Sequence, residues 1–246
     1  MRKMTKNPKR VRPGPRWRRQ SHTVFETQSA FSGRIRVIED GVERRLVVAG
    51  DTLSVYPLDR DWSRVHKEYW WHALAAVTFP PRPSVLLVGL GGGTQIHLLR
   101  RIVRPRQISA IERDPVIVQV ARDWFGLARL GGIEFLCDEA EVVVQSLAAA
   151  DRRFDFIMED AAYAEVPERA LPLARALAER VAPEGWLVLN RHHRADATLL
   201  TKEMRTRFES VTVRRVRREG ENALVVCARP LGGHVGAPHA VGQIFL

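Results

Sequence analysis

A strongly apolar run followed by a glycine-rich turn constrains the fold of this chain more than any other feature. The segment SVLLVGLGGGTQIHLLRR begins at Ser84 and contains four glycines, Gly89, Gly91, Gly92 and Gly93. Such a turn between a buried strand and a helix lets a ligand approach backbone N–H groups at the helix N-terminus. Thr94 stands at the third glycine position of the G-x-G-x-x-G pattern, so the turn alone does not separate a dinucleotide from an S-adenosyl ligand.

Strand and helix patterns alternate along the chain after residue 83. In chain order the predicted elements span 84–90, 93–103, 107–113, 114–126, 133–137, 140–150, 154–160, 167–181 and 185–191. Near-continuous aliphatic strands separated by helices predict a parallel sheet covered on both faces. Two further strands, 209–217 and 222–229, flank the turn REGE and predict an antiparallel hairpin. We therefore expect an α/β, Rossmann-like class I methyltransferase fold, because an NAD-binding Rossmann domain usually ends with further crossovers.

The segment before the glycine turn has a different, β-like pattern. Residues 22–58 alternate between polar and apolar side chains and predict a small β-meander of two to four strands, and residues 61–79 predict a helix. The expected organisation has four parts: a disordered basic tail (1–20), an N-terminal β-domain (21–60), a Rossmann-like domain (61–230) and a flexible C-terminal tail (231–246).

The charge of the chain is concentrated at one end. Residues 1–20 hold nine Lys or Arg and no acidic residue, whereas the formal net charge of the whole chain is +11. The rest of the chain is therefore nearly neutral. The basic segment predicts a solvated tail, and weak contact with a nucleic acid or an acidic partner is the alternative.

Composition also bears on location and redox state. No apolar run reaches the roughly 18 residues that a membrane helix needs, and no secretory signal pattern is present, so we expect a cytoplasmic protein without membrane contact. Cys137 and Cys227 fall in predicted strands and lack the spacing of metal ligands. They predict reduced structural cysteines.

Acidic residues stand at the ends of three successive predicted strands. They are Glu112, Asp138 and Asp160. Ligands of open α/β sheets bind beyond the carboxyl ends of the strands, so these residues and the glycine turn predict one crevice. A carboxylate at 112 can accept hydrogen bonds from both ribose hydroxyls of an NAD or S-adenosyl ligand. A carboxylate at 138 can accept the exocyclic amine of an adenine, and a helix N-cap is the alternative.

The order of these motifs resembles the spermidine synthases, or polyamine aminopropyltransferases, of the class I S-adenosylmethionine-dependent methyltransferase superfamily. The resemblance covers about residues 29–190 and includes AIERDPVIVQVARDWFGL, FLCDEAEVVVQSL and FDFIMEDAAY. It implies S-adenosylmethionine or decarboxylated S-adenosylmethionine as co-substrate, no metal, and a homodimer. The donor-binding residues that it implies are Gly89, Gly91, Gly93, Glu112, Asp138 and Glu139.

The same resemblance gives Asp160 a catalytic role, in which it orients the acceptor amine and takes its proton. The acceptor half departs from the family. Gly92 and Tyr163 stand where the family has Asp, and His66-Lys67-Glu68 stands where it has Tyr-His-Glu. A polycationic amine needs several carboxylates to replace its hydration, so these changes argue against putrescine. We place Tyr163 at the substrate site and expect a small-molecule acceptor of another kind.

Several functions fit these patterns. The first is a spermidine-synthase-like transferase that alkylates an amine or another nucleophile. The alternatives are an S-adenosylmethionine-dependent methyltransferase and a catalytically inactive protein that binds a nucleoside or a nucleic acid; an NAD-dependent enzyme ranks last. Tyr69, Trp70 and Trp71 are interpreted as packing between the domains, and His192-His193 as an exposed loop.

Overall fold

The first unit of the chain is a four-stranded antiparallel meander, in a computed structural model that describes residues 21–161, 167–217 and 221–231. Its strands are β1 (His22–Ser29), β2 (Gly33–Glu39), β3 (Glu43–Val48) and β4 (Asp51–Pro57). Ile35 and Val37 are fully buried, as the alternation along β2 predicts. The predicted β-meander is confirmed. The basic tail (1–20), residues 232–246 and Tyr163 lie outside the described residues.

The second sheet has seven strands in the order β10-β11-β9-β8-β5-β6-β7. Strands β5 to β9 pair in parallel, and β10 and β11 form an antiparallel hairpin against β9. The predicted fold class is confirmed. The strands are β5 (Ser84–Val88), β6 (Gln107–Ile111), β7 (Ile133–Leu136), β8 (Phe154–Glu159), β9 (Val181–Arg191), β10 (Phe208–Arg217) and β11 (Glu221–Pro230).

Helices cover both faces of this sheet. They are α1 (Tyr69–Leu74), α2 (Thr94–Ile102), α3 (Pro115–Trp124), α4 (Ala140–Ala149), α5 (Pro167–Ala178) and α6 (Arg194–Met204). Helix α3 begins at Pro115, and Asp114 caps it by accepting the N–H of Val116 at 2.9 Å. In the described part of the chain, no helix is long and apolar enough to cross a membrane.

The structure corrects three details of the sequence prediction. The predicted helix over 61–79 is broken at Glu68, whose backbone is extended; a 3₁₀ helix (Trp62–Lys67) precedes it, and α1 ends at Leu74. Strand β9 begins at Val181 rather than at the predicted residue 185. Its first residues were not predicted as strand because a Pro-Glu-Gly sequence interrupts the strand pattern there. Cys137 lies beyond the end of β7 and is exposed, whereas Cys227 is buried in β11.

Helix α6 was not predicted. Its N-cap residue, His193, makes no side-chain hydrogen bond to the first turn, so the usual start signal is missing from the sequence. Ala197, Leu200 and Met204 of this helix are buried against the large sheet. The helix is therefore stabilised mainly by tertiary packing.

The small sheet packs against the large domain through α3. Ile35, Val37 and Leu46 form one buried cluster with Ile117 and Val120. This contact brings β4 beside the glycine turn. Residues of β4 therefore form part of the surroundings of that turn.

Candidate active site

A cavity of about 1010 Å³, called the large cavity below, lies at the carboxyl ends of β5 and β8. These two strands are neighbours although β6 and β7 lie between them in the chain, so the strand order reverses here. Such reversal points are where open α/β sheets bind ligands. Residues of the glycine turn, β4, α1 and β9 also line the cavity.

Gly89 and Gly93 of the predicted donor-binding turn border this cavity. Gly89 has a φ of +94°, and a Cβ at this position would lie 2.7 Å from the backbone oxygen of Asp160. Glycine is therefore required where the turn passes the end of β8. Gly91 does not border the cavity; a Cβ there would lie 2.8 Å from the hydroxyl of Ser54 in β4.

Contacts with β4 explain the residues at two positions of the turn. They are Gly92, where the family has Asp, and Thr94, at the third glycine position of G-x-G-x-x-G. The N–H of Gly92 donates to the Ser54 hydroxyl at 2.6 Å, and a Cβ at residue 92 would lie 2.8 Å from Phe125. Thr94 Oγ1 accepts the N–H of Val55 and donates to its carbonyl, both at 2.9 Å. Ser54 and Phe125 thus fill the space that an Asp side chain at position 92 would need.

Glu112 borders the cavity, and its carboxylate is fixed by backbone donors. One oxygen accepts the N–H of Leu90 at 3.2 Å, and the other accepts the N–H of Asp114 at 3.1 Å. Burial raises the pKa of this carboxyl, while the backbone hydrogen bonds oppose that rise. Each carboxylate oxygen can accept a further hydrogen bond, so two ligand hydroxyls can be bound at once.

Asp138 and Glu139 do not line the large cavity. They border a second one of about 370 Å³, together with Phe31, Arg113, Pro115 and Cys137. Glu112 borders the large cavity and Asp138 the smaller one, and Arg113 lines both. The N-cap of α4 is Glu139 rather than Asp138. The Glu139 carboxylate pairs with Arg169 at 2.8 Å, whereas Asp138 is exposed.

Asp160 lies at the end of β8, where two side chains from other elements donate to it. The hydroxyl of Tyr69 in α1 donates to Oδ2 at 2.7 Å, and Nδ2 of Asn190 in β9 donates to Oδ1 at 2.8 Å. All three side chains border the large cavity. Strands β8 and β9 pair in parallel with Glu159 opposite Leu189, which brings the next residues of the two strands together.

The electrostatics of this group follow from its depth in the protein. Burial raises the pKa of Asp160, and the hydrogen bonds from Asn190 and Tyr69 oppose the rise. The pKa of Tyr69 is raised well above its ordinary value by burial and by the neighbouring carboxylate. Tyr69 therefore stays protonated and serves as a donor. The ring of Tyr69 does pack, 4.6 Å from that of Trp70 between centroids, but its hydrogen bond to Asp160 goes beyond the interpretation as packing alone.

Two residues that line the cavity have an amide oxygen that accepts no hydrogen bond within the described part of the chain. Asn190 Oδ1 and Asn222 Oδ1 are buried atoms without a hydrogen-bond partner in the described part of the chain, and both residues line the cavity beside Asp160. Buried polar atoms are nearly always paired, so each of these oxygens marks a place for a ligand donor. Neither residue was predicted as a site residue, since nothing in the local sequence shows that the two strands meet here.

A buried ion pair lies directly behind this group. Glu159 and Arg191 are neighbours of Asp160 and Asn190 in the chain, and their side chains are 0% and 1% exposed. Arg191 also donates to the carbonyl of Asn190, and Glu159 accepts the N–H of Ala161 at 3.0 Å. Because side chains alternate along a strand, the ion pair faces away from the cavity and joins β8 to β9.

Further predicted residues lie at the edge of the site. Glu68, Lys67 and His192 line the large cavity, so His192 is part of the site as well as exposed. In the described ranges, no three His, Cys, Asp or Glu side chains are grouped as metal ligands would be.

Comparison with known sequences gives two kinds of relative, although no family model matches the chain. Over 173 residues, 65% of its length, the chain is 32% identical to a Danio rerio protein named eEF1A lysine and N-terminal methyltransferase, of which it covers 24%. It is also 28% identical over 110 residues, 44% of its length, to the polyamine aminopropyltransferase of Vibrio vulnificus, of which it covers 37%. The chain thus spans well under half of the length of these relatives.

Solved structures give the same picture. A spermidine synthase in complex with the transition state analogue AdoDATO matches with a TM-score of 0.64 at 15% identity, covering 84% of this chain and 73% of that one. Human methyltransferase-like protein 13 in complex with SAH matches with a TM-score of 0.54 at 22% identity, covering 67% and 82%. These similarities establish the fold.

The chain therefore has the class I methyltransferase fold, with its large cavity at the strand-order reversal. It is similar in sequence and structure to spermidine synthases and to eEF1A methyltransferase-like proteins.

Proposed function

We propose that this chain is a transferase that moves an alkyl group from an S-adenosyl donor to an amine held at Asp160. One observation carries the proposal: Asp160, Asn190 and Asn222 line one cavity, and the buried Oδ1 atoms of the two asparagines have no hydrogen-bond partner in the described part of the chain. A buried acceptor without a donor costs about 1–3 kcal/mol. A ligand that brings N–H groups, as an amine does, removes that cost.

The proposed reaction is a nucleophilic substitution. The nitrogen lone pair of a neutral amine attacks the carbon bonded to the donor sulfonium, and the electrons of the broken C–S bond neutralise the sulfur. The new ammonium group then loses one proton. Asp160 is the base that accepts this proton and attracts the positive charge that develops on nitrogen. Tyr69 and Asn190 hold the carboxylate in place through the hydrogen bonds of 2.7 and 2.8 Å.

The donor side of the proposal rests on Glu112 and the glycine turn. Glu112 borders the same cavity as Asp160, and its fixed carboxylate suits two ribose hydroxyls. Asp138, in the adjoining cavity, is placed to meet a base. The names of the relatives and the SAH and AdoDATO complexes of the structural neighbours support an S-adenosyl co-substrate for this chain.

The acceptor that we propose carries a single amine and is not putrescine. The position of the family's additional Asp is occupied by Gly92, and Phe125 and Ser54 leave no room for a carboxylate. Lys67 adds a positive charge to the cavity lining, which disfavours a dication. The Danio rerio relative is named for two kinds of amine, a lysine and an N-terminus, and this name supports methyl transfer to an amine as the specific candidate.

The test is a transfer assay that combines each donor with each class of amine. Purified protein is incubated with S-adenosylmethionine or its decarboxylated form, and with putrescine, a lysine peptide or a peptide with a free N-terminus; products are detected by mass spectrometry. Alkylation of a monoamine is expected, and the donor that is consumed identifies methyl or aminopropyl transfer. Asp160→Asn should lower kcat by about 10²–10⁴-fold.

Asp51→Asn provides the matched control, because Asp51 is an exposed carboxylate that lines the same cavity. It should keep wild-type kcat. Equal activity of Asp160→Asn and wild type would contradict the proposed role of Asp160. Efficient use of putrescine would contradict the proposed acceptor. A cytoplasmic location, a homodimer and contacts of the basic tail remain predictions from the sequence.

A further inference from the structure

An exposed aromatic side chain of the small sheet lies beside the cavity of Asp138. Phe31 is 55% exposed, and it is the one aromatic residue among the large hydrophobic side chains that are exposed in the described ranges. It lies in the turn between β1 and β2. Its ring borders the cavity of about 370 Å³ together with Pro115 and Asp138.

The turn that carries Phe31 is anchored by its own hydrogen bonds. The buried hydroxyl of Ser29 accepts the N–H of Phe31 at 3.1 Å and the N–H of Ser32 at 3.5 Å. Gly33 ends the turn with a φ of +69°, in the left-handed region that glycine favours. The position of the Phe31 backbone is therefore defined without a ligand.

The same turn lies where the two cavities adjoin. Ser32 lines the large cavity with Glu112, the preceding residue Phe31 lines the small one with Asp138, and Arg113 lines both. A nucleoside whose ribose is bound by Glu112 and whose base is bound by Asp138 extends from the large cavity into the small one. It would pass directly beside this turn.

We propose that Phe31 stacks on the base of the bound donor, so that the small sheet supplies part of the nucleoside site. This inference rests on the proposed function, because it presumes an S-adenosyl donor. A phenyl ring can cover the face of a base, whereas Asp138 can contact only its polar edge. Stacking also removes the exposed ring from water, which is favourable.

A consequence is that donor binding joins the two sheets of the molecule. The ribose and glycine-turn contacts belong to the large sheet, whereas Phe31 belongs to the small one. The contribution of Phe31 should therefore affect adenosine and the complete donor by the same factor, since both carry the base.

The experiment is a calorimetric titration of the whole chain with S-adenosylhomocysteine and, separately, with adenosine. Phe31→Ala is expected to weaken both ligands about tenfold, which corresponds to ~1.4 kcal/mol. Phe31→Trp should retain wild-type affinity because it keeps an aromatic face. Leu231→Ala is the matched control: Leu231 is 54% exposed and lies at the end of β11, so its replacement should change neither affinity.

Thermal unfolding of the free variants separates binding from folding. Because Phe31 is largely exposed, Phe31→Ala should unfold at the wild-type temperature without ligand. Wild-type affinity of Phe31→Ala for both ligands would overturn the stacking proposal and leave the proposed function intact. Failure of the wild-type chain to bind either ligand would overturn both.

Discussion

The proposed donor side and the proposed acceptor side of the large cavity are built in different ways. On the donor side, the turn and the strand ends hold one another through the backbone, as Glu112 is held by the N–H groups of Leu90 and Asp114. On the acceptor side, Asp160 is held by side chains from two other elements, and one of them, Tyr69, is 91 residues away in sequence. The donor side is thus held mainly through backbone groups of the turn and strand ends, and the acceptor side through side chains of other elements.

This difference shows how one fold can keep its co-substrate while its acceptor changes. A substitution in α1 or β9 alters the contacts of Asp160 without touching the backbone hydrogen bonds around Glu112. The relatives of this chain include both aminopropyltransferases and methyltransferases by name, which is consistent with such a division. Each prediction below tests whether the two sides are separable.

The largest effect is expected at the buried ion pair behind the acceptor side. Arg191→Met leaves Glu159 buried without its partner, and breaking a buried pair in this way costs about 3–5 kcal/mol. Urea unfolding of the variant should show a loss of that size. The folded fraction should bind the donor with wild-type affinity, because the pair faces away from the cavity that Glu112 and the glycine turn border.

A double variant tests whether the loss of stability comes from the unpaired charge or from the changed shape of the side chain. Glu159→Leu combined with Arg191→Met removes both charges, and the stability of the chain should largely recover. A double variant as unstable as Arg191→Met would contradict the assignment of the loss to an unpaired charge.

The next effect is expected at Gly92, in the glycine turn. Gly92→Asp introduces the family's residue into space that Phe125 and Ser54 already fill, with a Cβ only 2.8 Å from Phe125. Overpacking of this kind costs about 1–3 kcal/mol, measured as the free energy of unfolding. Gly131→Asp is the control, because no atom lies within 4 Å of its added Cβ. Use of putrescine by a stable Gly92→Asp variant would show that the space is not filled as described.

Lowering the pH should reduce the free energy of unfolding through His97, which packs against the small sheet. His97 lies 5.1 Å from the ring of Tyr56 in β4, and burial lowers its pKa to about 4. The unfolded chain, with a His pKa near 6.5, binds more protons between these values, so this contribution is complete above pH 6.5 and is lost as the pH falls towards 4. The expected loss at pH 5 is about 2 kcal/mol.

Unfolding free energies measured between pH 7 and pH 4.5 test this expectation. His97→Gln has no titrating imidazole at this position, so it should show a smaller decrease over the same range. An identical decrease in the variant and in the wild type would assign the acid sensitivity to other groups.

The smallest effect is expected from removing one hydroxyl on the acceptor side. Tyr69→Phe deletes a hydrogen bond that lowers the pKa of Asp160, so that pKa should rise further above its ordinary value. The acidic limb of the kcat/KM profile should therefore move to higher pH. Tyr56→Phe, in the donor-side aromatic cluster, should leave the limb in place. A limb that does not move in Tyr69→Phe would separate Tyr69 from the titration of Asp160.

The two sides also differ in how far they could be predicted. Glu112, Asp138 and Asp160 were placed at strand ends because aliphatic runs and the following polar residues are visible in local sequence. Tyr69, Asn190 and Asn222 were not found as site residues, since their roles depend on where α1, β9 and β11 pack. The role of Gly92 was missed for the same reason: its partner Ser54 is 38 residues away.

The measurement that tests the account most directly is a calorimetric titration of the wild-type chain and Asp160→Asn with S-adenosylmethionine, its decarboxylated form and NAD. We predict binding of an S-adenosyl compound in preference to NAD, with the same affinity in both proteins, because Asp160 belongs to the acceptor side. Binding of NAD alone, or of none of the three, would contradict the donor assignment. A large loss of donor affinity in Asp160→Asn would contradict the separation of the two sides.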